Sequence, residues 1–316
     1  MAATREVMRL TKRGRFDILH GHASKAGAYV RLTGCATGVP VIYTPHGFGF
    51  AGHVSVARKL FVPPVERWLA HWTDALICVC DAERKEAAER GIGSDGSRRR
   101  IYNGCRSCEA VEPFDPPMNV SSVVGAVAAL RPEKGLDVLI SAAPQILDAV
   151  PEAGVMIIGS GSLEQQLRAQ ADALSLTQHP RFRFLPFEPP SARYMRALDI
   201  AVLPSRWDAF PITAIEALAC GVPQVASNVG GIPEAVRPET GVLVPPENPD
   251  ELAGAVIELL GDPTRRRQMA AAARALHSRT FTLERMAQET EAVYREVLAN
   301  ARAKVSANRS AESYVG

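Results

Sequence analysis

Long apolar runs are missing from this 316-residue chain: none approaches the ~18 residues a membrane-spanning helix needs, and no hydrophobic signal region opens the N-terminus. A cytoplasmic protein is expected, or one peripheral on the inner face of the membrane. A surplus of either charge is also missing. The net charge is +2, which gives no reason to expect a nucleic-acid partner. The small basic clusters MRLTKRGR and SRRR read as solvated surface charge, with peripheral contact with an anionic membrane as the alternative. Internal repeats and low-complexity segments are absent. The six cysteines form no obvious disulfide framework in a chain this long. Cys78, Cys80, Cys105 and Cys108 make a C-x-C and a C-x-x-C pair, but the first is too tight for a usual zinc knuckle, and the His20-x-His22 pair has no carboxylate cluster beside it. No metal is expected.

What is present is a soluble globular composition, 47% apolar and 22% charged, at a length that holds two ordinary domains. Short apolar runs alternate with helical patterns throughout: FDILH, PVIYTP, DALICVC and RRIYN, then VVGAVAAL, VMIIG, RFRFLPF, DIAVLPS, PQVAS and GVLVP. That alternation predicts parallel sheets covered by helices on both faces. CEAVEPFDPPMNVSS, rich in Pro and acids, carries neither period and reads as a linker, with a boundary near Asp115. The expected division is residues 1–115 and 116–280 as two doubly wound domains, 281–303 as a terminal helix returning to the first, and 304–316 as a disordered tail.

Ligands of such sheets bind beyond the carboxyl ends of the strands. In the second half those ends carry LRPEKG, GSGSLEQQL, FLPF, SRWDAFPITAIE and SNVGGIPEAV, a succession of small turns that points to a phosphate-containing ligand. A nicotinamide dinucleotide fits poorly. Glu164 stands where the third glycine of the fingerprint begun by Gly159 and Gly161 belongs, and no acidic residue closes the following strand. Glu216 is the only charge between Ala209 and Pro233. Its helical neighbours are apolar nearly all round, so its helix should be buried. A buried carboxylate is costly without hydrogen-bond donors, and no basic residue lies nearby in sequence. A ligand is one source of those donors.

Asp208 through Glu216, followed by ALACGVP, GGIPE and TGVLVPP, resembles the nucleotide-sugar site of the retaining glycosyltransferases of family 4 (group 1). DILHGHASKAG, TPHGFGF, IYNG and LRPEKG resemble that family's other blocks, in the same order, so the likeness covers nearly the whole chain. It implies an α/β GT-B fold, two doubly wound Rossmann-like domains facing a cleft, 1–115 on the acceptor side and 116–280 binding the nucleotide sugar. It implies a transferase that moves a sugar from a nucleotide diphosphate sugar to a glycan or lipid-linked acceptor, in surface polysaccharide or glycoconjugate synthesis. Configuration would be retained, and neither cofactor nor metal used.

By position, Glu216 would accept the ribose hydroxyls, and Asp208, where the family has a longer Glu, would hold a hydroxyl of the donor sugar. Phe210, Pro211, Ile212 and Thr213 begin the helix whose free N–H groups face the diphosphate. Gly159, Gly161 and Phe187 complete the binding set from neighbouring strand ends. Lys134 would compensate charge on the leaving diphosphate. The family's arginine falls at Ala129 here, so Arg131 is the candidate substitute, with a surface cation as the equal alternative. His46 would stand near the reacting carbon, a structural loop histidine being the plainer reading.

Family members usually begin with a strand and a Gly-rich loop, and nothing before FDILH matches either, so the first domain is expected to be incomplete. A non-catalytic nucleotide-sugar-binding relative and a sugar-nucleotide epimerase of the same fold therefore stand as alternatives. Two apolar stripes complete the reading. Leu60, Val65, Trp68, Leu69 and Trp72 are spaced as one helix face, expected to join the core, with partial membrane insertion as the alternative. Leu283, Met286, Val293, Tyr294 and Val297 form the stripe with which the last helix would dock on the first domain.

Overall fold

The computed structural model describes residues 2–52 and 54–312. The chain divides into two compact units, Met1–Tyr102 with Glu284–Gly316, and Asn103–Leu283. All ten apolar runs form strands, and every pairing between them is parallel. Continuous apolar runs suit strands covered on both faces, and β2, β3, β6, β8 and β9 are buried along their whole length.

The first unit runs α1 (Ala2–Gly14), β1 (Leu19–His22), α2 (Ala23–Thr37), β2 (Val41–Thr44), α3 (Val56–Ala70), β3 (Ala75–Cys78), α4 (Asp81–Glu89) and β4 (Arg98–Arg100). Its sheet has the order β1-β2-β3-β4. The SRRR cluster is β4 and its cations are engaged. Arg98 pairs with Asp95, Arg99 with Glu296 and Arg100 with Asp81.

The second unit runs β5 (Ser122–Val127), α5 (Leu136–Ala149), β6 (Ala153–Ile158), α6 (Glu164–Ala173), β7 (Phe182–Leu185), α7 (Ala192–Met195), β8 (Ile200–Leu203), α8 (Ile212–Cys220), β9 (Gln224–Ser227), α9 (Ile232–Ala235), β10 (Gly241–Val244), α10 (Pro249–Leu260) and α11 (Pro263–Thr280). Its strand order, β10-β9-β8-β5-β6-β7, reverses direction between β5 and β8. In open α/β sheets such a reversal opens the crevice where ligands bind.

Four expectations need correction. First, the Pro-rich segment is no free linker. The Arg196 guanidinium donates to the carbonyls of Glu109 and Val111, the Phe114 N–H donates to the Arg193 carbonyl at 2.9 Å, and the Phe114 ring lies 5.0 Å from that of Tyr194. These contacts tie 103–121 to the second unit, so the division falls at Tyr102 and not near Asp115. Second, a disulfide joins Cys108 to Cys220, which removes Cys108 from any four-cysteine metal site. Third, α12 (Leu283–Glu312) continues through most of the segment read as a disordered tail; 313–316 lie outside the described residues. Within the first unit α12 packs Val293 and Val297 on Ile42, Ala75, Ile77 and Ile101. Fourth, the stripe on α3 does not join the core. Leu69 is buried, but Leu60, Val65 and Trp68 are exposed.

Candidate functional site

Four loops meet at the carboxyl edge of the second sheet. After β5 the chain makes a 3-10 turn at Pro132–Lys134 and enters α5 through Gly135. A Cβ on Gly135 would stand 2.1 Å from the Pro204 carbonyl oxygen, so the loops after β5 and β8, the two strands flanking the reversal, touch backbone to backbone. Gly230, at a φ of 54°, has the same function for the loop after β9, since a Cβ there would lie 1.8 Å from the Asp208 carbonyl. The approach that the GGIPE glycines permit is thus to the Asp208 backbone. Gly159 and Gly161 likewise press the turn after β6 against the backbone of Ala128 and Leu130.

Charge fixes these loops further. The Arg206 guanidinium donates to both carboxylate oxygens of Asp137, at 2.8 and 2.6 Å, to Glu247 and to the Pro132 carbonyl. The pairing with Arg206 holds the Asp137 carboxyl below its ordinary pKa. Lys134 ends the 3-10 turn and its Nζ donates to Asp208 Oδ2. Asp208 is largely buried, and burial outweighs the lysine, so its pKa is raised.

α8 begins directly after Pro211, and no side chain caps its first turn. The amides of such a turn and the helix dipole make a ready anion site. Glu216 lies one turn further on, half-buried. Its Oε1 accepts the Ser191 hydroxyl at 2.5 Å. Burial raises its pKa and the serine only partly offsets this. Ser191 supplies part of what Glu216 lacks in sequence. It is the group's one hydrogen-bond partner among the described residues.

A cavity of 340 Å³ opens over this edge, lined by Val127, Ala128, Ala129, Gly159, Ser160, Phe187, Ser191, Ile212, Thr213 and Glu216. Of the residues singled out in sequence, Gly159, Phe187, Ile212, Thr213 and Glu216 therefore share one pocket. Lys134 and Asp208 form a pair on the adjacent loops, and Gly161 packs against the Leu130 backbone. Phe210 points inward. It is 4% exposed and packs 5.6 Å from Phe281. Arg131 extends into solvent with Glu133 at 3.9 Å.

His46 belongs to the first unit, in the loop after β2. Its Nε2 shares a hydrogen bond with His22 Nδ1 at 2.9 Å, and the rings stack. His20 is bonded to Tyr294 and Thr44. Desolvation lowers the pKa of all three imidazoles, His20 to about 4, and neighbouring imidazoles add to the effect at His20 and His46. Glu83 anchors the His46 loop by accepting the N–H groups of Gly47 and Val79 at 2.6 and 2.7 Å.

Burial pushes the Glu83 carboxyl up to about 7. Its folded pKa therefore exceeds the unfolded value of 4.5, and its contribution to stability, full below that value, is lost as pH rises through 7. Glu83→Gln removes the titration. The wild-type advantage over this variant in thermal unfolding is expected to shrink, by on the order of 3 kcal/mol, between those limits. A pH-independent difference would exclude the buried-acid account.

Residues 118–276 match the family model of "Glycosyl transferases group 1", and residues 1–104 match that of the "Glycosyl transferase 4-like domain". The chain belongs to the group 1 glycosyltransferases. Among curated relatives of this glycosyltransferase, the D-inositol 3-phosphate glycosyltransferase of Rhodococcus opacus is 30% identical over 311 residues, covering 91% of this chain and 69% of that one. Sucrose-phosphate synthase from Thermosynechococcus elongatus superposes with a TM-score of 0.81 at 23% identity, covering 94% of this chain and 77% of that one. Anabaena HepE in complex with UDP-glucose gives 0.77 at 21%, covering 93% and 82%. The fold is GT-B, as the sequence resemblance implies.

Proposed function

We propose that this glycosyltransferase transfers a sugar from a nucleoside diphosphate sugar to a glycan or lipid-linked acceptor, with retention of configuration and without a metal, in polysaccharide or glycoconjugate synthesis. The observation that carries the reading is the cavity at the strand reversal, where Glu216 and the uncapped first turn of α8 lie side by side. A nucleoside diphosphate carries hydroxyl donors at one end of its ribose and anionic acceptors at the other. The Glu216 carboxylate, with Ser191 as its one partner among the described residues, has acceptor capacity to spare for a ribose hydroxyl. The α8 amides complement the diphosphate. HepE, of the same fold, was solved with UDP-glucose, which supports a donor of this class.

In the reaction the anomeric carbon–oxygen bond breaks and its electron pair stays on the diphosphate. Lys134 stabilises the charge that grows there, and Asp208 orients the lysine and accepts a hydroxyl of the sugar. The acceptor oxygen bonds to the anomeric carbon on the face the diphosphate leaves, and its proton passes to the departing phosphate oxygen. The carboxyl-edge loops of the first unit, with His46, engage the acceptor.

Titration calorimetry with a panel of nucleoside diphosphate sugars tests the donor site. Glu216→Gln keeps shape and the Ser191 contact but loses the charged acceptor, and should weaken the donor by about 1–3 kcal/mol, roughly 5- to 150-fold. Unchanged affinity would remove the ribose assignment.

A further inference from the structure

Helix α3 is built inside out. Its buried positions are Pro63, Glu66 and Leu69. The inward carboxylate of Glu66 meets Arg31, which is fully buried, at 2.7 Å. The opposite face is apolar and exposed. Leu60 is 64%, Phe61 73%, Val65 51% and Trp68 54% exposed, and Val56 at the first turn is 72% exposed. Among the described residues, ten large apolar side chains are exposed and five are these. Single exposed apolar residues need no explanation, but a patch of this kind does. At about 100° per residue, Ala57, Leu60, Phe61, Pro64 and Trp68 fall within an arc of roughly 100°, the width of a face that helices normally turn to a core. Trp72 packs edge-on against Trp68 at 4.6 Å and extends the strip.

The charges at the margins are of one sign. Arg58 and Arg67 border the arc on its two sides and are exposed, whereas Glu66, the helix's only acid, is buried. We propose that the outer face of α3 docks on an anionic lipid bilayer, placing Leu60, Phe61 and Trp68 at the boundary of headgroups and acyl chains and Arg58 and Arg67 on lipid phosphates. The inference goes beyond the transfer reaction and does not depend on it. A second copy of the chain is the less suited occupant. Two such faces would set Arg58 and Arg67 against like charges, with no exposed acid on the helix to pair with them. A bilayer offers negative headgroups at the margins and an apolar interior at the centre, the order in which α3 presents its residues. No helix among the described residues is long and apolar enough to cross a membrane, so the contact is peripheral.

Co-sedimentation of the full chain with vesicles of phosphatidylcholine alone and of phosphatidylcholine with phosphatidylglycerol tests this. The wild type should bind the anionic vesicles, more weakly in high salt. A variant with Leu60→Ser, Phe61→Ser and Trp68→Ser should bind them at least about tenfold less well, and Arg58→Glu with Arg67→Glu should abolish the preference for anionic lipid. Both substitution sets lie outside the donor site, and unchanged hydrogen-exchange protection of β1–β4 and α2 certifies the fold of the first unit. Absence of wild-type binding, or equal binding by the serine variant, overturns the proposal. So does a dimer, detected by light scattering, that the serine variant loses while vesicles are ignored.

Discussion

Replacing Lys134 by alanine is expected to lower transfer turnover by roughly 10²- to 10³-fold while weakening donor affinity far less. The expectation rests on how the lysine is held. The 3-10 turn ending at Lys134 is fixed by Arg206 on the Pro132 carbonyl, by the Arg206–Asp137 pair, and by Gly135 against Pro204. Its Nζ is therefore placed before any donor arrives, and a preplaced charge costs no reorganisation as the diphosphate departs. Lys134 also lowers the pKa of Asp208 against burial. In the alanine variant Asp208 should take up a proton at higher pH. Asp208→Asn added to Lys134→Ala separates the two effects, because an amide needs no cation. If the double variant regained most of the turnover, Lys134 would serve only to compensate the Asp208 charge. If KM alone moved in the single variant, the lysine would bind the ground state.

The strands were legible because a parallel strand under helices on both faces must be a continuous apolar run, and each such run was followed by a loop at the ligand-binding edge. That order put Lys134, Asp208 and Glu216 at this edge, and the family resemblance supplied their expected roles. Partners supplied from a distance were not legible. Ser191 reaches Glu216 across 25 residues and Arg206 reaches Asp137 across 69, and neither has a local pattern. Cys108 and Cys220 are 112 apart. Composition misled at 108–122, where Pro and acids suggested a loose linker but the backbone carbonyls are taken by Arg196. It misled again after Ala303, where helix-forming Ala, Arg and Lys continue α12. Periodicity found the apolar face of α3 but not its direction, since a period of 3.6 is the same whether the stripe faces core or solvent. Direction was decided by Glu66, whose buried partner lies 35 residues upstream.

Breaking that partnership is the second large effect expected. Arg31 is 0% exposed, donates from Nε to the Gly27 carbonyl at 2.9 Å and from Nη1 to Glu66, and stacks over the Tyr43 ring at 3.9 Å. Its Nη2 has no hydrogen-bond partner among the described residues, so Glu66 already compensates an incompletely satisfied guanidinium. Glu66→Ala leaves that charge buried and unpaired, at a cost of about 3–5 kcal/mol. Removing both charges at once, Arg31→Met with Glu66→Leu, leaves no charge uncompensated and should be near neutral or stabilising. Hydrogen exchange in α2 and α3 reports this locally, which matters because a chain of two compact units need not unfold in one step. The single variant should lose protection in both helices and the double should regain it. Equal losses in the two variants would mean that the side chains matter for their shape, not their charge. The pair would then no longer explain why α3 keeps a carboxylate inside and its tryptophan outside.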